Sequence, residues 1–214
     1  MIFDDRYDAG RRLAARLERY GSERPVVLAL PRGGVPVAHE IARVLNAPLD
    51  IIAARKLGAP GAPEVAIGAI AGDAALVNPE LVAQLGVSQA YLARIVGQES
   101  VEMARQERAF RGGRPPADIA GRTVIVVDDG LATGATAQAA VRALRARNPR
   151  RIVFAAPVCS PSGAEMLRAT ADDVVCLDCP ANFDAVGWWY RDFTPVSDAE
   201  VVQLLGTGQR KVPA

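Results

Sequence analysis

The chain has 214 residues, half of them hydrophobic, and its 25 Lys+Arg against 24 Asp+Glu leave a formal net charge of +1. That length supports one sizeable α/β core, here expected as a single domain over 1–214, and the near-neutral balance provides no general basic field, so a dedicated nucleic-acid or membrane-surface protein is not expected. No apolar run is long enough to span a bilayer, the acidic start Met1-Ile2-Phe3-Asp4-Asp5 lacks a signal-peptide pattern, and three cysteines do not read as a disulfide framework, so a cytoplasmic enzyme is expected.

In chain order, Phe3, Tyr7, Gly10, Leu13, Ala14 and Leu17 recur at helical spacing and predict an amphipathic helix over 4–20. Val26 to Leu30 reads as a short apolar strand, Val35 to Leu45 as a helix with Pro36 in its first turn, and Leu49 to Ala54 as a second strand. Over 57–75, Gly58, Pro60, Gly61, Pro63, Gly68 and Gly72 break periodicity, so a long, mobile excursion from the core is expected. Asn78-Pro79 starts a short helix. Ser88 to about Phe110 predicts a longer, charged one, ended by Gly112-Gly113-Arg114-Pro115-Pro116. A strand over 123–127, a helix from Thr136 to Arg147, a strand from Ile152 to Ala156, a helix after Ser160-Pro161 and a strand from Val174 to Leu177 follow. Ser197-Asp198-Ala199-Glu200 has capping-box spacing and opens a final helix, with a frayed tail from Gly206. Helices alternating with apolar strands predict α/β architecture: a parallel sheet flanked by helices on both faces, with ligands at the carboxyl ends of its strands.

The densest chemical signal is Val124-Ile125-Val126-Val127-Asp128-Asp129-Gly130-Leu131-Ala132-Thr133-Gly134-Ala135-Thr136. A buried strand ends in two carboxylates, and a loop of small residues follows. Gly134 and its neighbours let backbone N–H groups approach an anion, Thr133 and Thr136 add hydroxyls, and a helix N-terminus faces the same place. That is a phosphate cradle. Two aspartates would repel a phosphate, so sugar hydroxyls or a hydrated Mg2+ are their natural partners. An ordinary strand–loop–helix corner is the plainer alternative.

This stretch resembles the phosphoribosyl-diphosphate (PRPP) loop of type I phosphoribosyltransferases: four hydrophobics, two acids, a short spacer, then Thr-Gly-x-Thr. The resemblance implies their Rossmann-like fold with a small hood, here about 178–195, and a flexible catalytic lid, here within 57–75. It implies that Asp128 and Asp129 are catalytic and hold the ribose hydroxyls, directly or through Mg2+, while Leu131, Ala132, Thr133, Gly134, Ala135 and Thr136 grip the 5-phosphate. Arg32-Gly33-Gly34 fit the family's pyrophosphate loop, which often carries a strained peptide bond; a simple strand-to-helix turn with a solvent-facing Arg is the alternative. Arg55 and Lys56 are implied as further pyrophosphate or phosphate contacts, with Lys56 also catalytic; adjacent cations are otherwise a solvated strand end. Asn182 to Phe193 gathers both tryptophans and resembles the base-binding hood of the purine enzymes, which implies Phe183, Val186 and Trp188 as acceptor contacts. A hydrophobic plug or a dimer contact explains such a cluster equally well. Relatives are commonly dimers.

One departure matters. Where many 6-oxopurine enzymes carry an acid in the spacer, this chain has Ala132, so an orphan or adenine-like member fits better. The activity implied is transfer of the phosphoribosyl group from PRPP to a nitrogen acceptor with release of pyrophosphate; the alternative is a PRPP-sensing regulator on the same fold without turnover. Other signals are weak. Cys176-Leu177-Asp178-Cys179 has no partner pair for a zinc site, His39 has no nucleophile beside it, and the arginines at 142, 145, 147, 150 and 151 read as solvated helix ends.

Overall fold

A computed structural model describes residues 1–72 and 74–207. Strands β1 (Val26–Ala29), β2 (Leu49–Ile51), β6 (Thr123–Val127), β7 (Arg151–Val158) and β8 (Asp173–Asp178) form a five-stranded sheet in the order β2-β1-β6-β7-β8. Every pairing in it is parallel. The order reverses between β1 and β6, which lie side by side with Ala29 opposite Val127. Two strands that diverge in topology leave a crevice at their carboxyl ends, where ligands bind in open α/β sheets.

Helices cover both faces, as the alternation predicts. On one face Val27, Ile125, Val127 and Val153 pack with Leu13 and Leu17 of α1 (Arg6–Leu17), Ile41 of α2 (Gly34–Leu45) and Val201 and Leu205 of α7 (Asp198–Thr207). On the other, Val124, Val126, Ile152 and Phe154 pack with Val141 and Leu144 of α5 (Ala135–Arg145) and Leu167 of α6 (Pro161–Arg168). Burial on both faces explains why the β6 run shows no alternation. Caps fix the helix starts: Ser160 Oγ accepts from Gly163 N–H at 2.9 Å, and Asp5 accepts from Asp8 N–H at 2.7 Å. The final helix keeps half of its capping box. Ser197 accepts from Glu200 N–H at 3.2 Å, but the Glu200 carboxylate accepts instead from the Tyr7 hydroxyl at 2.9 Å. Gly206 and Thr207, where a frayed tail is expected to begin, are helical as the last residues of α7; the rest of that tail lies outside the described residues.

Three expectations are corrected. The second strand does not run to Ala54: β2 stops at Ile51, and the chain leaves the main sheet. The aperiodic excursion over 57–75 is a second, antiparallel sheet of β3 (Ala54–Ala59), β4 (Ala62–Ala71) and β5 (Ala74–Val77). Gly68 serves strand pairing, since a Cβ there would stand 2.2 Å from the Leu76 carbonyl oxygen, whereas Gly61 and Gly72 take positive φ in the turns. Leu57, Ile67 and Ile70 of this sheet pack with Met103 of α4 (Gln89–Arg111), while Ala69 and Ala71 join the α5 core. Cysteines do form a bridge: Cys159, just after β7, is disulfide-bonded to Cys176 of the neighbouring β8, and Cys179 is free and exposed. The partners are 17 residues apart in sequence and meet through strand adjacency. Among the described residues no helix is long and apolar enough to cross a membrane.

Candidate active site

The crevice between β1 and β6 gathers the loops that the sequence singles out. After β1, the Leu30 N–H donates to the Val127 carbonyl at 2.8 Å, and Gly34 N–H closes the turn on the Leu30 carbonyl at 3.0 Å. The Pro31–Arg32 peptide is cis. Gly34 is pressed against β6: a Cβ there would stand 2.5 Å from the Val127 carbonyl oxygen. Arg32 is exposed, and its guanidinium pairs at 2.8 Å with Asp198 at the start of α7.

After β6 the loop is built on the end of β7. Leu131 N–H donates to the Val158 carbonyl at 2.9 Å, Ser160 N–H to the Leu131 carbonyl at 2.7 Å, and Ser160 Oγ to the Ala132 carbonyl at 2.5 Å. Gly134 adopts φ +80°, outside the range other residues take easily, and caps α5 without a side chain. The first amides of α5 are therefore left facing the loop, as an anion site requires. Ala132 and Thr133 are exposed, whereas Ala135 and Thr136 are half-buried.

The paired acids sit in different surroundings. Among the described residues, Asp128 accepts only from the Asp129 N–H, at 2.9 Å. Burial and the neighbouring Asp129 charge hold its carboxyl well above the usual carboxylate range. Asp129 faces the protein. Its Oδ2 accepts from Arg6 Nε at 2.7 Å, and a Cβ on Gly33 would stand 2.0 Å from that same oxygen. Burial pushes the Asp129 carboxyl up, opposed by the charge and hydrogen bond of Arg6.

Residues of the 186–194 segment pack against this pair. Val186 lies against Gly130, where a Cβ would meet its Cγ1 at 2.3 Å. The Tyr190 hydroxyl donates to the Asp129 carbonyl at 2.5 Å. Burial, then the Asp129 charge, raises the Tyr190 phenol. Arg6 Nη1 donates to the Thr194 carbonyl at 2.9 Å, and the Arg6 guanidinium lies 3.9 Å from the centre of the Phe193 ring. Of the three expected acceptor contacts, Val186 is thus packed on the loop, Phe183 is half-buried, and Trp188 is 71% exposed.

Arg55 and Lys56 stand apart from a core strand end. Both belong to β3 of the small sheet, where Arg55 pairs with Glu99 of α4 and Lys56 is exposed. The residue that sequence reading misses is Arg6. Its signal is a charge on the apolar stripe of α1, one turn before Gly10, and it is 8% exposed.

Residues 1–191 match the family described as "Phosphoribosyl transferase domain". Rv0571c of Mycobacterium tuberculosis, provisionally named a phosphoribosyl transferase, is 45% identical over 210 residues, covering 98% of this chain and 47% of that protein. The chain thus spans about half the length of the curated relatives it matches. The crystal structure of TT1426 from Thermus thermophilus superposes with a TM-score of 0.82 at 44% identity, covering 96% of this chain and 98% of that one. A uracil phosphoribosyltransferase of Staphylococcus haemolyticus is 31% identical over 111 residues, 49% of this chain and 53% of that enzyme.

Proposed function

This chain belongs to the phosphoribosyl transferase family, and on that premise we propose that it moves the 5-phosphoribosyl group of PRPP to a nitrogen acceptor, releasing pyrophosphate. The observation that carries the reading is the crevice at the β1–β6 junction: uncapped α5 amides, an Asp128 carboxyl whose only hydrogen bond among the described residues comes from the Asp129 N–H, and the Arg32-Gly33-Gly34 turn that follows the adjacent strand.

Charge organises the reaction. The 131–136 loop and the α5 N-terminus hold the 5-phosphate. Asp128 takes a ribose hydroxyl and faces the positive charge that develops on the sugar as the anomeric bond breaks, which is preorganised electrostatic stabilisation. Gly33 and Arg32 receive the departing pyrophosphate. Arg32 leaves only an exposed ion pair with Asp198 to do so, and such pairs are worth about 0–1 kcal/mol. Lys56, exposed on β3 of the small sheet, is the cation offered to the leaving group; Arg55, next to it on the strand, is held instead by Glu99. No covalent enzyme nucleophile is needed.

Among the described residues no three His, Cys, Asp or Glu side chains converge on a cation site. That fits Mg2+, which usually takes one or two carboxylates together with substrate phosphates; here Asp128 would hold it. When bound, the ion neutralises charge on the leaving group. Trp188 and Phe183 offer faces for a flat heterocycle, with Val186 shaping the floor. Pyrophosphate release should be assayed against uracil, adenine, hypoxanthine, guanine and simple amines. Turnover with one of them supports the transferase, and Mg2+-dependent PRPP binding without turnover on any of them supports the regulator.

A further inference from the structure

We propose that Arg6 is a positioning residue that divides the labour of the paired acids, holding Asp129 as an internal strut so that Asp128 alone meets the ligand. The inference rests on the PRPP reading above and deepens it.

Three independent contacts commit Asp129 to the protein. Arg6 occupies its Oδ2 at 2.7 Å, and the two side chains are 10% and 14% exposed. The same oxygen lies against Gly33, so the carboxylate is wedged under the pyrophosphate turn. Its backbone carbonyl is taken by the Tyr190 hydroxyl. Arg6 is itself fixed on three sides, by Asp129, the Thr194 carbonyl and the Phe193 ring. α1, the 128–134 loop and the hood are thereby joined at one guanidinium.

The electrostatic consequence is specific. An uncompensated carboxylate against Gly33 would oppose a pyrophosphate bound to that turn, because like charges in a poorly solvated site repel strongly. Arg6 cancels that charge from behind. Asp128 has no ion pair and no hydrogen bond from a side chain among the described residues; Arg6 acts on it only through its charge, so its oxygens are left to the ribose or to a phosphate-borne cation.

The test uses the full chain and calorimetric titration with Mg2+-PRPP, inorganic pyrophosphate and ribose 5-phosphate. Arg6→Gln should weaken PRPP and pyrophosphate about tenfold or more, but ribose 5-phosphate by no more than about threefold, since only the pyrophosphate turn faces the uncovered carboxylate. Adding Asp129→Asn to Arg6→Gln should recover at least about fivefold of the lost PRPP affinity, and Arg6→Lys should lose less than Arg6→Gln. A merely structural Arg6 would weaken all three ligands alike. Losses that simply add in the double variant would make Asp129 a ligand and overturn the assignment. If Arg6→Gln does not fold, Asp129→Asn against Asp128→Asn decides it: equal or greater PRPP loss at Asp129 overturns it, and a clearly smaller loss upholds it. Failure of the unaltered protein to bind PRPP would sink the underlying reading and this proposal with it, and is visible before any variant is made.

Discussion

Gly34→Ala probes the junction on which the site is built. A methyl on Gly34 would stand 2.5 Å from the Val127 carbonyl oxygen, 3.0 Å from Asp128 Cα and 3.2 Å from the Val127 carbonyl carbon. Every one of these is backbone, so no flexible side chain can give way. Comfortable carbon contacts begin near ~3.5 Å, so the turn and β6 must part by roughly 0.5–1 Å. Overpacking of this kind costs about 1–3 kcal/mol. For a chain of this size that is a fall in Tm of about 2–12 °C. The same displacement shifts the Arg32-Gly33-Gly34 turn relative to Asp128, and misplacement by about 1 Å can cost 100-fold in a positioned reaction; on the proposed reading, a loss of about 10–100-fold in PRPP affinity is expected. Thermal melts and PRPP titration read the two effects separately. Gly97→Ala is the control: it sits in α4 with nothing within 4 Å of an added Cβ, and it should gain up to about 1 kcal/mol from helix propensity. A Gly34→Ala protein with unchanged Tm and PRPP affinity would refute the argument that the start of α2 is seated on β6 through that glycine.

Two further predictions concern stability. Arg111 is 6% exposed; it donates to Asp50 at 3.0 Å and to the Ile51 carbonyl at 2.7 Å, and pairs with Glu107 at 3.1 Å. Arg111→Met leaves two acids uncompensated at the point where the chain quits the main sheet, so about 3–5 kcal/mol should be lost in urea unfolding; a loss below about 1 kcal/mol would contradict that role. The Tyr7 phenol is pushed up from 10.0 to about 12, first by burial and then by its hydrogen bond to Glu200. The folded state therefore holds this proton more tightly than the unfolded one. Its contribution to stability is complete below pH 10 and is lost as pH rises toward about 12. Tyr7→Phe should flatten that alkaline decline, and an unchanged slope would refute the assignment.

Much of this molecule is legible in its sequence where one physical signal dominates. The Val124–Val127 run and its paired acids announce a buried strand with a loop at its carboxyl end, and the structure places both there. Ser160-Pro161 and Asn78-Pro79 mark helix starts by local chemistry, and both act as caps. What escapes is non-local. Gly and Pro over 57–75 mask the strand pattern because Gly58 and Gly68 are set by close contact with neighbouring strands, while Gly61 and Gly72 make the turns between them. Cys159 meets Cys176 only because β7 and β8 are neighbours. Arg6 reaches Asp129 across 123 positions of sequence, and no local rule reports such a pair. Arg55 and Lys56 are displaced because the chain leaves the sheet at Ile51, a turn that an apolar run does not reveal.

The central claim is tested most directly by titrating PRPP with Mg2+ into the unaltered protein and into Asp128→Asn. Asp128 has its carboxyl held high by burial and by Asp129, so binding should be strongest well above the usual carboxylate range and fade as acidification protonates it. Micromolar binding that needs Mg2+, weakens with falling pH and drops by at least about tenfold in Asp128→Asn is the result this account predicts. Absence of PRPP binding, or binding indifferent to Asp128, would contradict it and leave the β6 loop a structural corner.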